Sequence, residues 1–494
     1  MLSVELRSAT EILALLRERK LGSLELLEIL LKRVEQLNPG LNAVVAMDIE
    51  RARRDARAAD HLPRDQHGPL HGMPMTIKDA WEVVGMPATC GMPELAQHWP
   101  EQDADAVARL RAAGAVVFGK TNVPLGAADG QSYNPVYGVS RNPWNPERTP
   151  GGSSGGAAAA VAAGFTPLEL GSDIGGSIRI PAHFCGIYGH KTSYGVVPMR
   201  GHIPPPPGSL TAPLLGIGGP LARSAADLEL ALDILAAPAA PDRTAWSVRI
   251  PPSRHERLDE FRVALWADQK GYSVDRACVE AMHLYAEDLR GAGVQVDDEA
   301  RPDIDVAATD DLYVAMLFRI VTAGMPEPIL ALIEQAAADM RADARSYPAR
   351  IARAVRTSYA EFCAQREQQQ RLCRAWRRFF ERYDVILCPI APTVAFPHDH
   401  SGSGPGHVAQ YSRTVTVDGR PCPYMNVLQW PGLATVVNLP ATAIPTGKRI
   451  DGLPMGVQVI GPYLEDRTTL RFAQLAEQAL GGFIPAPSVV RPSA

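Results

Sequence analysis

Two serines in glycine-rich runs and a lysine after an apolar run are the residues here best suited to chemistry. Ser177 lies in Gly171-Ser-Asp-Ile-Gly-Gly-Ser-Ile-Arg-Ile-Pro-Ala182, Ser153 in Gly151-Gly-Ser-Ser-Gly-Gly156, and Lys78 follows Met75-Thr-Ile77. Serine is a weak nucleophile until an adjacent base and an oxyanion-binding pocket activate it. The base on offer is a lysine rather than a histidine. A lysine becomes a base when burial and nearby donors drive its pKa down from about 10.4, and Met75-Thr-Ile77 reads as a buried strand that supplies such burial. Glycines let backbone approach a reacting carbonyl and turn N–H groups toward one point. The chemistry that this set supports is acyl transfer.

The elements that must position these residues alternate along the chain. Ser8-Ala-Thr-Glu11 has the spacing of a capping box and opens a helix over residues 8–17. Ser23 opens a second helix, with Leu24, Leu27, Leu31 and Val34 on one face, stopped near Asn38-Pro39-Gly40. Asp103 to Ala113 reads as a capped helix closed by Gly114, and Ala115-Val-Val-Phe118 as the strand after it. Val457 to Ile460 reads as a strand before a helix with Phe472, Leu475, Ala476 and Ala479 on one stripe. Such alternation argues for an α/β layered sheet. Residues 340–382 are helical in pattern, with arginines and acidic residues interleaved as on a salt-bridged, solvated face. Pro204-Pro-Pro-Pro207 is the one Pro-rich run, either a rigid surface loop or a wall beside the substrate pocket.

Whole-chain properties exclude several classes. The 494 residues bring a soft expectation of about three domains, but no boundary is sharp enough to draw. Apolar content of 46% and charge of 21% are those of a soluble globular protein. A formal charge of -5 gives no electrostatic case for nucleic acid or an anionic membrane. Seven cysteines with no CxxC pair (90, 185, 278, 363, 373, 388, 422) read as reduced thiols. Glu5, Glu11, Arg17 and Arg19 interrupt any leader-like apolar stretch, and no apolar run reaches 18 residues. The expected location is the cytoplasm.

In order along the chain, Ile77-Lys78-Asp79, Gly119-Lys-Thr-Asn122, Arg141-Asn-Pro-Trp144, Pro150-Gly-Gly-Ser-Ser-Gly-Gly156, Asp173-Ile-Gly-Gly-Ser-Ile-Arg179, Gly186-Ile-Tyr-Gly-His-Lys191 and Gly452-Leu-Pro-Met-Gly-Val-Gln-Val-Ile-Gly461 resemble the motifs of the amidase signature family. The resemblance spans roughly residues 5–482, more weakly between about 250 and 380. It implies one α/β domain over 1–494: a central twisted mixed β-sheet surrounded by helices, core motifs in 70–200 and 380–482, a variable helical substrate-pocket region about 250–380, and the active site at the sheet edge. It implies Ser177 as nucleophile, Ser153 after a cis Gly152–Ser153 bond as relay, Lys78 as base, and Ser154 in support. The oxyanion hole would be the backbone N–H groups of Ile174, Gly175, Gly176 and Ser177. By ungapped alignment with fatty acid amide hydrolases, Ala127 falls in the acyl pocket.

The function implied is hydrolysis of a small carboxylic amide, anilide or carbamate through an acyl-enzyme, with no metal or organic cofactor. The partners are that substrate and water, not nucleic acid or membrane, with a homodimer left open. Tyr133, Tyr137, Met425 and Trp430 are pocket-lining candidates and favour an apolar or aryl substrate. The alternatives are the A subunit of a glutamyl-tRNA amidotransferase-type complex, and an esterase or carbamate hydrolase on the same fold. Gly189-His-Lys-Thr-Ser193 departs from the family's usual Gly-Leu-Lys-Pro-Thr and bears on local substrate contacts. Gly114-Ala-Val-Val-Phe-Gly-Lys-Thr121 satisfies a P-loop pattern, but its intervening residues form an apolar strand where a phosphate cradle needs a polar loop. His398, His400 and His407 lie in a turn-rich stretch without a zinc template, and Cys185 lacks a basic partner and reads as a buried thiol.

Overall fold

A computed structural model of the chain describes residues 2–339, 346–401 and 410–490. Its centre is an eleven-stranded mixed sheet surrounded by helices. Across the sheet the strands run Val44–Met47, Val116–Thr121, Pro74–Lys78, Leu168–Asp173, Ile217–Ala222, Tyr188–Lys191, Ala441–Ile450, Leu453–Ile460, Val385–Cys388, Arg262–Leu265 and Gln295–Asp297. Pro74–Lys78 runs parallel to both its neighbours, and Arg262–Leu265 does likewise near the far edge. The joins between these two patches are antiparallel.

Helix signals landed close to their marks. Ser8 caps Ala9–Arg17 with a complete capping box. The next helix, Ser23–Leu41, differs from expectation at both ends. Gly22 is its cap, because Ser23 Oγ donates instead to the carbonyl of Gly72 at 2.7 Å. At the other end it runs through Pro39 to a left-handed Asn42. The helix after it in the 100s is Asp105–Ala112, and Asp103 accepts from Val84 N–H instead of capping.

The 250–380 stretch is not wholly helical. Arg262–Leu265 and Gln295–Asp297 complete the sheet's far edge, four and three residues long, too short to give a period-2 pattern. The arginine-rich part holds Tyr347–Val355 and Tyr359–Phe379 with a break between them. There Arg350 pairs with Asp310 and Asp311, and Arg356 with Glu327 and Glu334. Among the described residues no helix is long and apolar enough to cross a membrane.

Candidate active site

Pro74–Lys78 and Leu168–Asp173 are parallel neighbours, in register at Thr76 with Glu169 and Ile77 with Leu170. Both therefore leave the sheet at the same end. This is the carboxyl end of two interior strands, not a lateral edge of the sheet, and carboxyl ends are where open α/β sheets place ligands. Every residue of both strands is buried. Their polar side chains must then find one another, since an unpaired buried polar group costs about 1–3 kcal/mol.

Lys78 is fully enclosed. Its Nζ lies 2.7 Å from Ser153 Oγ, 3.0 Å from Ser172 Oγ and 3.4 Å from the Ser172 carbonyl. No carboxylate among the described residues forms an ion pair with it. Asp79, the obvious partner in sequence, lies in the turn just past the strand and is engaged elsewhere. There it takes Lys120 at 3.0 Å and Thr89 Oγ at 2.5 Å. Burial pushes Lys78 down to about 7, opposed by the nearby Cys90, Asp173 and Glu169. Glu169 is itself pushed up to about 8 by burial, with Thr76 and Thr121 donating to it.

Ser153 is 2% exposed and joined to Gly152 by a cis peptide bond. Gly152 must lack a side chain, because a Cβ there would lie 2.4 Å from the carbonyl oxygen of Asp129. The loop leads into Gly155–Ala163, a fully buried helix of Gly, Ala and one Val. Ser132 brackets the loop, donating to Gly151 O and accepting from Gly155 N–H, both at 3.0 Å. Ser154 N–H donates to the Ser177 carbonyl at 3.1 Å, and Ser154 Oγ to the Ser172 carbonyl at 3.3 Å. These contacts bring the two serine loops together.

The Ser177 loop is wrapped around one carboxylate. Asp173 accepts from Gly176 N–H at 2.9 Å, from Ile178 N–H at 3.0 Å, and from Arg179 Nε and Nη2 at 3.1 and 2.9 Å. Burial alone raises its pKa, but Arg179 and these donors outweigh it and hold the carboxyl down to about 2. Gly176 thus differs from expectation: its N–H is committed to Asp173 and secures the loop. The N–H groups of Ile174, Gly175 and Ser177 have no acceptor among the described residues, and Ile174 and Ser177 are partly exposed. Tyr313, from the helix Val306–Val321, donates to the Ile174 carbonyl at 3.1 Å.

Other residues singled out in sequence fall in varied places. Ala127 adopts a left-handed backbone (φ 55) and packs on the small cluster of Ala80, Ala88, Cys90, Val123 and Ile203. Trp430 is fully enclosed against Trp266 and Tyr272, so it belongs to the core and not to a pocket wall. Met425 is also buried. Tyr133 joins Asp129, Arg413 and Tyr424 in a polar knot. His398 faces the Pro146 carbonyl and His400 tilts over Tyr133, while His407 lies outside the described residues. Burial pushes the Cys185 thiol far up. Lys120 and Thr121 of the P-loop-like pattern sit inside the strand Val116–Thr121, facing Asp79 and Glu169. Sequence reasoning missed Ser172, whose signal was its place directly before Asp173. It also missed His202, at the head of the Pro-rich run.

An eleven-stranded mixed sheet under helices, with two glycine-bearing serine loops meeting a buried lysine, defines the class of amidase signature enzymes, which act on carbon–nitrogen bonds. The chain belongs to the Amidase family, whose model matches residues 25–470. It is 32% identical to the A subunit of a glutamyl-tRNA(Gln) amidotransferase from Methylococcus capsulatus, over 96% of this chain and 97% of that protein. It is 33% identical to an indoleacetamide hydrolase from Bradyrhizobium diazoefficiens, over 93% and 84% respectively. A solved 6-aminohexanoate cyclic dimer hydrolase is similar over 99% of both chains, at 26% identity and a TM-score of 0.76.

Proposed function

We propose that this protein hydrolyses small linear amides, anilides or carbamates by itself, through an acyl-enzyme on Ser177. The observation that carries the reading is Lys78 Nζ, enclosed, without a carboxylate ion pair among the described residues and 2.7 Å from Ser153 Oγ. Neutral Lys78 accepts the Ser153 proton while Ser153 accepts that of Ser177, as Ser177 Oγ attacks the substrate carbonyl carbon. The oxyanion is met by the N–H groups of Ile174, Gly175 and Ser177. As the C–N bond breaks, the same relay run backwards protonates the leaving amine. Water then repeats the attack on the acyl ester. Ala127 borders the acyl side.

The names of relatives divide the substrate question. Indoleacetamide hydrolase favours a free-standing enzyme on an aryl-bearing amide. The amidotransferase relatives favour a glutaminase that works within a complex. The decisive experiment presents the purified chain alone with 4-nitroacetanilide, indole-3-acetamide, an aryl carbamate and glutamine. Turnover of an aryl amide that is lost in Ser177→Ala is the expected result. Glutamine hydrolysis alone, or silence until the other components of an amidotransferase are added, would instead establish the amidotransferase reading.

A further inference from the structure

A neutral Lys78 has two N–H donors and one lone pair, and three oxygens surround its Nζ. The Ser172 carbonyl can only accept and takes one N–H. The hydroxyls of Ser153 and Ser172 can each donate or accept. For the relay to run, Ser153 must donate to the lone pair, so Ser172 must accept the second N–H. If Ser172 donated instead, it would compete with Ser153 for that lone pair.

His202 decides which happens. Its Nε2 lies 2.8 Å from Ser172 Oγ, and its Nδ1 2.9 Å from the Pro204 carbonyl oxygen. That carbonyl only accepts, so Nδ1 carries the proton and, in a neutral ring, Nε2 accepts the proton of Ser172. Burial, then the Lys78 charge, holds the imidazole pKa well below its usual value. The ring stands edge-on to Trp81 at 4.7 Å, and Ile203 N–H is tied to the Ala80 carbonyl at 2.7 Å. The Pro-rich segment is thereby anchored to the loop that follows Lys78.

We propose that His202 is a positioning residue which, by taking the hydroxyl proton of Ser172, leaves that oxygen only as an acceptor and turns the lone pair of Lys78 toward Ser153. The inference rests on Ser177, Ser153 and Lys78 being the relay. In the attack the Ser177 proton passes to Ser153 Oγ and the Ser153 proton to Lys78 Nζ, while Ser172 and His202 keep theirs. The resulting ammonium finds three acceptors in the same three oxygens. Both charge states are accommodated without a hydroxyl turning, which is the economy of a preorganised site.

Burial sets where Lys78 titrates, opposed by Cys90, Asp173 and Glu169 nearby, while Lys120 is paired with Asp79. Without His202, the Ser172 hydroxyl donates to the lone pair. That turns the lone pair from Ser153 and lowers the rate. It also leaves the Ser172 proton without its acceptor whenever Ser172 must accept from the ammonium, which disfavours the charged form and moves the titration to lower pH. A loss of packing alone would not couple these two changes.

The test follows the rate of Ser177 labelling by an alkyl fluorophosphonate between about pH 5 and 10. His202→Leu is expected to drop the high-pH plateau about 10- to 100-fold and shift the acid limb to lower pH. His202→Gln, with an acceptor oxygen, restores most of both. Adding Ser172→Ala to His202→Leu recovers part of the plateau, because the competing hydroxyl is gone and only Ser153 can donate to the lone pair. A wild-type plateau and limb in His202→Leu, or a His202→Gln as impaired as the leucine variant, overturns the inference. Nitrogen NMR of histidine-labelled wild-type protein decides independently of variant folding: Nδ1–H throughout is expected, and an Nε2–H tautomer refutes the clamp. If instead the relay reading is what fails, Lys78→Ala and Ser177→Ala retain hydrolysis whatever His202 does.

Discussion

At the residue scale, the proposed chemistry depends on one amine staying neutral in a place where water does not reach. An ammonium has no lone pair, so kcat/KM should rise with pH as Lys78 loses its proton around pH 7 and then level off. The sign follows from burial, which disfavours the charged form of a lysine. In a pH profile on one amide substrate, Lys78→Ala should remove this limb and lower the plateau by about 10²- to 10⁴-fold. Ser177→Ala removes one hydroxyl from a partly exposed position. It should abolish turnover and fluorophosphonate labelling with the melting temperature nearly unchanged. Ser153→Ala should slow labelling severely but leave a residue of it, since damaged triads keep what their oxyanion donors supply. Equal loss in Ser154→Ala, with none in Ser153→Ala, would exchange the roles of the two serines.

At the scale of elements, the site is a junction of two loops, each followed by a buried helix. The Ser177 loop closes because Gly176 takes φ 99, a conformation that costs other residues dearly. A Cβ there would lie 2.8 Å from both Ile180 Cδ1 and Pro431 Cγ. Gly176→Ala should therefore cost about 1–3 kcal/mol and displace the Ile174 and Ser177 amides. Denaturant melts would show the first effect and loss of kcat the second. A melt and a kcat like those of wild type would mean that the loop tolerates another path.

Across the whole molecule, Arg179 holds the Ser177 loop to the C-terminal third of the chain. Its guanidinium meets Asp173, the Pro431 carbonyl, Gln458 Oε1 and Thr435 Oγ1, the last three all at 2.9 Å. Gln458 in turn donates to the carbonyls of Pro389 and Trp430. Arg179→Met leaves the Asp173 carboxylate enclosed without a counter-charge, a change that costs about 3–5 kcal/mol. The expected outcome is a lower denaturation midpoint, with activity lost where the fold survives. A melt like that of wild type would show the loop to be held by its backbone bonds alone.

The sequence by itself determined the local features: the capping box at Ser8, the buried strand before Lys78, and glycines at positions where a side chain has no room. Short-range sterics and hydrogen bonding dictate these, and the ordered motifs announced the family. Only the tertiary structure decided which polar groups meet. Asp79 follows Lys78 directly yet pairs with Lys120, because the chain turns at the end of the strand and carries it to another partner. Gly176 gives its N–H to Asp173, Trp430 goes to the core, and two short strands from 262–297 finish the sheet. Ser172 gains its place beside Lys78 from the parallel pairing of two strands far apart in the chain, and His202 reaches Ser172 through the docking of the Pro-rich loop. Such contacts are fixed by burial, which forces enclosed donors and acceptors to find partners wherever the chain brings them together, and no spacing along the sequence records that.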